Sequence, residues 1–293
     1  MPAREGIAVA PVTFLNGVKV EGAGAAVSPR DRGLTLADGL FETMRVRRGR
    51  VFQLRQHLER IYRGLLTLRI DAPPELDRRV IQAVDAAGLD DASVRLTVTR
   101  GVGGGGLVVA RDTPPTVIVT VGAMPVFPVT VYEQGLSAHV PAGRRNARSS
   151  TSGVKTLSYT DAVVGLLEAQ EQGADEALFL DTDDHCSEAS ASNLFMVTDA
   201  TLVTPPISCG ALPGITRATV LQLATELGIS AVEHVCTLAD LLRSDEAFLT
   251  SSLRGIAPLV RVNGHEIGTG TPGALTRRMS AAHEALVETD TAR

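Results

Sequence analysis

Lysine is almost absent from this chain. Lys19 and Lys155 are the only two among 293 residues, while arginine is abundant. With the frequent Ala and Gly, that imbalance reads as composition bias. It also singles out Lys155, which stands in "GVKTLSYTDA" just before an expected helix and not on a solvated helix face. Excess positive charge is missing too. A net charge of -5 excludes the basic face that broad nucleic-acid binding needs. Cysteine occurs three times, as Cys186, Cys209 and Cys236. An odd number without tight spacing supports neither a disulfide framework nor a zinc site. No apolar run is long enough for a membrane span. The opening "MPAREGIAVAPVTF" lacks the apolar core of a signal peptide, so the expected location is the cytoplasm.

What is present is ordinary globular material, 44% apolar and 21% charged, enough for one large domain or two modest ones. "VTFLNGVKVEG" predicts a hairpin around Asn16-Gly17, and "GLFETMRVRRGRVFQL" a second one turning near Arg48-Gly49. Leu58, Ile61, Leu65 and Leu68 recur with helical period, and another helix is expected near 75–87. "ASVRLTVTR" and "PTVIVTVGA" read as strands joined by "GVGGGG". The prolines and glycine of "GAMPVFPV" predict a linker at 123–128, between domains at 1–122 and 129–293. Beyond it "VTVYEQ" reads as a strand. Helices follow near 161–172, in "GITRATVLQLATELGI" and at 274–288, with strands in "DEALFLDT" and "NLFMVTDATLVTPP". Strands and helices mix without regular alternation, which favours a mixed α/β or α+β fold over a doubly wound sheet.

Taken singly, the chemical signals are modest. "RGVGGGG" lacks both the GxGxxG spacing and a following Walker lysine, so it reads as a loop. "ALPGITRATV" opens a helix whose first N–H groups and dipole suit a phosphate, although on the local sequence alone a plain Pro-Gly helix start is the better account. The six histidines show no ligand spacing, and no metal is expected. No GxSxG elbow is present. A lysine in a partly buried site loses solvation of its charged form, and the neutral amine is the form that adds to a carbonyl. Glu188 lies among Ser187, Ala189, Ser190 and Ala191, small neighbours that permit close approach.

Taken together, "DRGLTLADGLFET", "LRQHLERI", "GVKTLSYTDAVV", "EALFLDTDDHCSEASASNLF", "TPPISCGALPGITR" and "DEAFLTSSLRGIAPL" resemble, in order and spacing, the class IV aminotransferases, pyridoxal-phosphate enzymes of fold type IV. That family includes branched-chain and D-amino acid aminotransferases, (R)-selective amine transaminases and aminodeoxychorismate lyase. The resemblance implies a small N-terminal α/β domain, a larger C-terminal domain, a pyridoxal 5'-phosphate cofactor and a homodimer. Lys155 matches the lysine that binds the cofactor covalently and moves the substrate proton. Glu188 matches the carboxylate facing the pyridine nitrogen, which strengthens the ring as an electron sink. Tyr159 matches the tyrosine near the 3′-oxygen. Arg60 matches the phosphate-gripping arginine, whose planar fork suits bidentate contact. Ile215 and Thr216 match the phosphate-binding helix start, and Ser252 a further phosphate hydroxyl. Asn193 is expected to support the Glu188 loop.

The same resemblance implies an amino acid and a 2-oxo acid as substrates. The Arg-x-His carboxylate trap of D-amino acid enzymes is missing, since Gly105 and Leu107 stand at the corresponding places. Arg45 or Arg100 is the substitute to examine, with Phe41 lining the pocket. Three outcomes follow from one cofactor: transamination of a D-amino acid, branched-chain-like or (R)-amine donor, pyruvate elimination from 4-amino-4-deoxychorismate to give 4-aminobenzoate, or ligand binding without catalysis. The retained Lys155, Tyr159, Glu188 and Arg60 argue against the last.

Overall fold

The structure, a computed structural model, describes residues 10–21, 26–104, 106–110 and 112–292. Gly105, one of the two positions considered for the carboxylate trap, lies outside them. The chain divides into two compact units. The first comprises Met1–Pro125, Val154–Leu157 and Val287–Arg293, and the second Val126–Gly153 and Ser158–Leu286. The first break falls inside the segment read as a linker. The sequence boundaries make 129–293 continuous, whereas 154–157 and 287–293 belong with the first unit.

The first unit is a six-stranded antiparallel sheet with helices on one face. Its strands are β1 (Val12–Leu15), β2 (Val18–Val20), β3 (Gly39–Arg47), β4 (Arg50–Val51), β5 (Ala92–Thr99) and β6 (Thr116–Ala123), in the order β2-β1-β6-β5-β3-β4. Both expected hairpins form, with Asn16, Gly17, Arg48 and Gly49 at positive φ. The helices are α1 (Arg32–Leu36), α2 (Leu54–Leu68) and α3 (Leu76–Ala87). Alternation along the strands sends Leu40, Met44, Val46, Val94, Leu96 and Val98 to one face. There they pack with Leu58, Ile61, Leu65, Val80 and Val84 of the helices. The segment holding Lys155 lies along the start of β3. Phe41 N donates to Lys155 O at 3.1 Å and Leu157 N to Gly39 O at 3.0 Å.

The second unit is built on β7 (Leu136–His139), β8 (Arg144–Arg145), β9 (Glu176–Asp181), β10 (Cys186–Ala189), β11 (Asn193–Thr198), β12 (Thr201–Thr204), β13 (Ala231–Glu233), β14 (Glu246–Ser251), β15 (Gly255–Val262) and β16 (His265–Glu266). The path runs β10-β9-β7-β15-β14-β11-β12-β13, and a further pairing of β10 with β11 closes six strands into a ring. Leu178, Leu194, Met196, Leu249 and Leu259 share one core cluster. Phe195 and Phe248 stack at 5.0 Å and pack with Val220, Leu223 and Met279. The helices are α4 (Thr130–Glu133), α5 (Thr160–Glu171), α6 (Ile215–Glu226), α7 (Leu238–Arg243) and α8 (Ala274–Asp290). The last turn of α8 is counted with the first unit. The fold class is mixed α/β, as expected.

One element differs. "VTVYEQ", read as a strand, forms the single turn α4. Val131 N bonds Pro128 O (3.0 Å), Tyr132 N bonds Val129 O (3.0 Å), and Tyr132 Oη donates to Arg254 O (3.0 Å). Pro128 suits the start of a helical turn, and this tertiary bond overrides the β-branched propensity. Among the described residues no helix is long and apolar enough to cross a membrane.

Gly39 sets how closely the lysine segment and β5 approach β3. A Cβ there would lie 2.6 Å from Val98 O, 2.8 Å from Thr99 Cα and 2.9 Å from Leu157 Cδ1. Gly39→Ala is expected to destabilise the protein by about 1–3 kcal/mol, read as a lowered urea midpoint with the slope unchanged.

Candidate active site

Lys155 extends its amine over the ring of Phe41, with Nζ 4.3 Å from the centroid. The guanidinium of Arg95 also contacts this ring, at 3.8 Å. Phe41 sits on the face of β3 opposite the core, and alternation places Thr43 and Arg45 beside it. Arg95 pairs with Thr43 across β5, and Arg45 with Ser93, so Arg45 and Arg95 share that face. Arg95 was not singled out from the sequence. The register, which puts it two residues from Thr97 opposite Phe41, is the signal that finds it.

Glu42, the next residue, points the other way and is 1% exposed among apolar side chains. It accepts from Arg60 Nε (2.7 Å) and Arg60 Nη2 (2.6 Å), and its Oε2 lies 2.7 Å from His57 Nδ1. His57, Arg60 and Gly64 fall on one stripe of α2 by helical spacing, and all three are buried. The bidentate geometry expected of Arg60 toward a phosphate is therefore made to Glu42. Burial raises the Glu42 pKa, but the bonds from Arg60 and His57 outweigh it and hold the carboxyl down to about 2. Burial, reinforced by the charges of Arg60 and Lys155, lowers the His57 pKa below the ordinary imidazole range against the pull of Glu42.

Arg100 has a different occupation from the one considered for it. Its Nε and Nη2 bond Asp38 (2.7 and 3.0 Å), Nη1 bonds Arg69 O (2.8 Å) and Nη2 bonds Leu68 O (2.7 Å). It satisfies the free carbonyls at the C-terminus of α2, so its donors serve the fold and not a substrate. The "GVGGGG" loop is tied back by Arg32, whose Nη1 donates to Gly106 O (2.9 Å). Leu107, the other trap position, is 86% exposed.

The second unit holds the remaining residues. Glu188 opposes Asn193 across β10 and β11. Its Oε2 accepts from Leu212 N (2.8 Å) and Asn193 Nδ2 (3.4 Å), while Asn193 Nδ2 also donates to Leu212 O (2.8 Å). Arg145, missed in the sequence, brings Nε to 3.5 Å from Glu188 Oε1 and lies 4.3 Å over Phe179. The run "RRNAR" gave no indication which arginine turns inward. Gly214 caps α6, and a Cβ there would lie 1.9 Å from Asn193 Oδ1. Only glycine allows the helix start to sit against Asn193. Ile215 and Thr216 open α6 and are buried. Tyr159 stands at the start of α5, and Ser252 in the turn joining β14 to β15.

Asp181, His185 and Cys209 also approach, with one donor atom from each within 4.8 Å of the others. Hydrogen bonds account for the grouping. Asp181 Oδ1 accepts from Asp183 N and His185 N, both at 2.9 Å, and Oδ2 meets His185 Nδ1 at 3.3 Å. Burial and the Asp181 charge push the Cys209 thiol up to about 11, so it stays protonated.

These donors define a class. In the first unit an amine suits a carbonyl and a guanidinium a phosphate; in the second a carboxylate suits a pyridinium nitrogen and a helix N-terminus a phosphate; these are the groups of pyridoxal phosphate. The amino-transferase class IV family model matches residues 39–262, and this chain belongs to that family, whose members use pyridoxal phosphate. The branched-chain-amino-acid aminotransferase of Escherichia coli K12 is 31% identical over 296 residues, 95% of this chain and 93% of its own. A crystal structure of the Escherichia coli branched-chain amino acid aminotransferase superposes with a TM-score of 0.90 at 28% identity, covering 96% and 95%. The D-alanine aminotransferase of Bacillus licheniformis is 32% identical over 290 residues, 96% and 98%. The 4-amino-4-deoxychorismate lyase structure from Pseudomonas aeruginosa gives a TM-score of 0.84 at 30% identity, covering 95% and 99%.

The Glu42 cluster carries a pH dependence. Both Glu42 and His57 have depressed pKa values in the folded state, so the unfolded chain takes up their protons first and stability falls with pH. The His57 contribution begins to fade below about pH 6.5. The Glu42 contribution, on the order of 3 kcal/mol, is lost between about pH 4.5 and 2. Thermal melts on acidification are expected to drop across this lower window, and less steeply in Glu42→Gln than in the parent chain.

Proposed function

We propose that this enzyme transfers the amino group of an α-amino acid with a branched-chain-like side chain to a 2-oxo acid, with Lys155 as its catalytic base. The observation that carries this reading is the Lys155 amine on the Phe41 face of β3, the face that also bears Arg45 and Arg95. Two guanidiniums there suit a donor with a carboxylate and give a simple (R)-amine no partner. Bound pyridoxal phosphate supplies the electron sink that lets a Cα–H bond break. Lys155 would be the base that takes that proton. Phe41 excludes water from one side of the amine. Glu188, steadied by Leu212 N–H, Asn193 and Arg145, would face the ring nitrogen, and Tyr159 the 3′-oxygen. In the first unit Arg60, and in the second Ser252 and the N–H groups of Ile215 and Thr216, are the groups that the family resemblance assigns to the phosphate.

Likeness to the lyase keeps one competing outcome in view, because the two reactions share every step up to loss of the Cα proton. A screen of the cofactor-loaded protein separates them. Mixing with L-leucine is expected to discharge the visible absorption of lysine-bound cofactor, and (R)-phenylethylamine to leave it intact. A response to D-alanine alone reverses the stereochemical reading. Pyruvate release from aminodeoxychorismate without an added 2-oxo acid establishes the lyase instead. Lys155→Ala is expected to lose both the visible band and turnover, and retained turnover would remove Lys155 from its role.

The same reading includes a cytoplasmic homodimer. Its support is the family resemblance and an apolar stripe on α5, where Val163, Val164 and Leu167 are 54%, 49% and 53% exposed. Sedimentation is expected at twice the 30.8 kDa chain mass, with Leu167→Glu shifting it toward the monomer.

A further inference from the structure

A carboxylate on the core face of a strand is an unusual use of a buried position. Leu40, Met44 and Val46 occupy that face of β3 around Glu42 and belong to the apolar core. Replacing a buried ion pair with apolar residues is often neutral or stabilising, so stability alone is a weak reason for Glu42 to be charged. Its contacts suggest another. Glu42 takes the Nε–Nη2 edge of Arg60 in a two-point bond, which fixes both the position and the plane of the guanidinium. A guanidinium has five N–H donors, and these two bonds dictate where the others point. His57, 2% exposed, braces the second carboxylate oxygen through Nδ1.

The next residue back in β3 handles the other cation. Phe41 bonds the Lys155 backbone and lies under its amine. Two consecutive strand residues, pointing to opposite faces, thus set the positions of Lys155 and Arg60 from one rigid element.

We propose that Glu42, braced by His57, is a positioning residue that aims the Arg60 guanidinium at the cofactor phosphate. The proposal rests on the reading that Arg60 binds that phosphate, and comparing pyridoxal phosphate with pyridoxal separates the two. Both ligands are titrated into the cofactor-free protein, and binding is followed by absorbance and by equilibrium dialysis. Arg60→Gln is expected to lose most of the preference for the phosphorylated ligand. If it keeps the parental preference, the phosphate reading of Arg60 is wrong, and the proposal falls with it.

Glu42→Gln keeps the shape and one acceptor oxygen but removes the charge. It is expected to weaken pyridoxal phosphate by at least about tenfold, the loss of a charge-assisted bond, and to leave pyridoxal within about twofold. Equal weakening of both ligands would assign Glu42 a purely structural role. Unchanged binding of both, with Arg60→Gln defective, would overturn the proposal while sparing Arg60. His57→Gln leaves the two Glu42–Arg60 bonds in place and guards against a Glu42 variant that does not fold. It is expected to weaken pyridoxal phosphate selectively but less, and no selective effect in it would count against the brace.

Discussion

Burying one carboxylate constrains much of the first unit. Glu42 cannot remain charged on the apolar face of β3 without partners, because an unpaired interior charge costs several kcal/mol. The partners must come from the helix packed on that face. They arrive one turn apart on α2, as His57 and Arg60. Gly64, one turn further on, keeps the helix close, since a Cβ there would meet Leu40 Cδ1 at 2.9 Å. The C-terminus of α2 is then closed by Arg100 on Leu68 O and Arg69 O. The helix that carries Arg60 is thus fixed at both its middle and its end. Glu42, Arg60 and Arg100 are the joints of the unit.

The second unit solves a related problem by different means. Glu188, the carboxylate that the proposed reading gives to the ring nitrogen, is held by one backbone N–H, one amide and one guanidinium at longer range. Asn193 links this carboxylate to the start of α6. It bonds Glu188 and Leu212 O through Nδ2 and presses its Oδ1 on Gly214. The acid assigned to the ring nitrogen and the helix start assigned to the phosphate therefore share a single support. A change at Asn193 acts on both.

Much of this was legible in the sequence wherever the signal was local. The Asn16-Gly17 and Arg48-Gly49 hairpins, the period of α2 and the Pro-Gly start of α6 each depend on a few neighbouring residues. The family segments singled out Lys155, Glu188, Asn193 and Arg60, and the scarcity of lysine beside so many arginines made the first of these easier to notice. Non-local pairings were hidden. Nothing near Glu42 in "GLFETMRV" marks it as inward, because a charged residue in an alternating strand normally reads as exposed. Arg100 looked available for a substrate because its partners, Asp38 and two helix carbonyls, lie 31 or more residues away. The turn at Thr130–Glu133 was obscured likewise. Its β-branched residues signal a strand, and the bond from Tyr132 to Arg254 O is invisible in the chain order.

On the proposed reading, the question that the cofactor residues leave open turns on a different surface. Amine, acid and phosphate donors treat every family substrate alike, so they cannot discriminate between a leucine and an aminodeoxychorismate. Discrimination requires groups that meet the rest of the substrate, and β3 alternates between the two tasks. Its even-numbered positions, Leu40, Glu42, Met44 and Val46, face the core and the Arg60 support. Its odd-numbered positions, Phe41, Thr43 and Arg45, with Arg95 beside them, lie on the opposite face, where the Phe41 ring also lies under the Lys155 amine. On the proposed reading, donor preference changes at Thr43, Arg45 and Arg95, while Phe41 and Glu42 keep Lys155 and Arg60 in place. That separation gives a physical reason for transaminases of differing donor and a pyruvate-releasing lyase to share one fold.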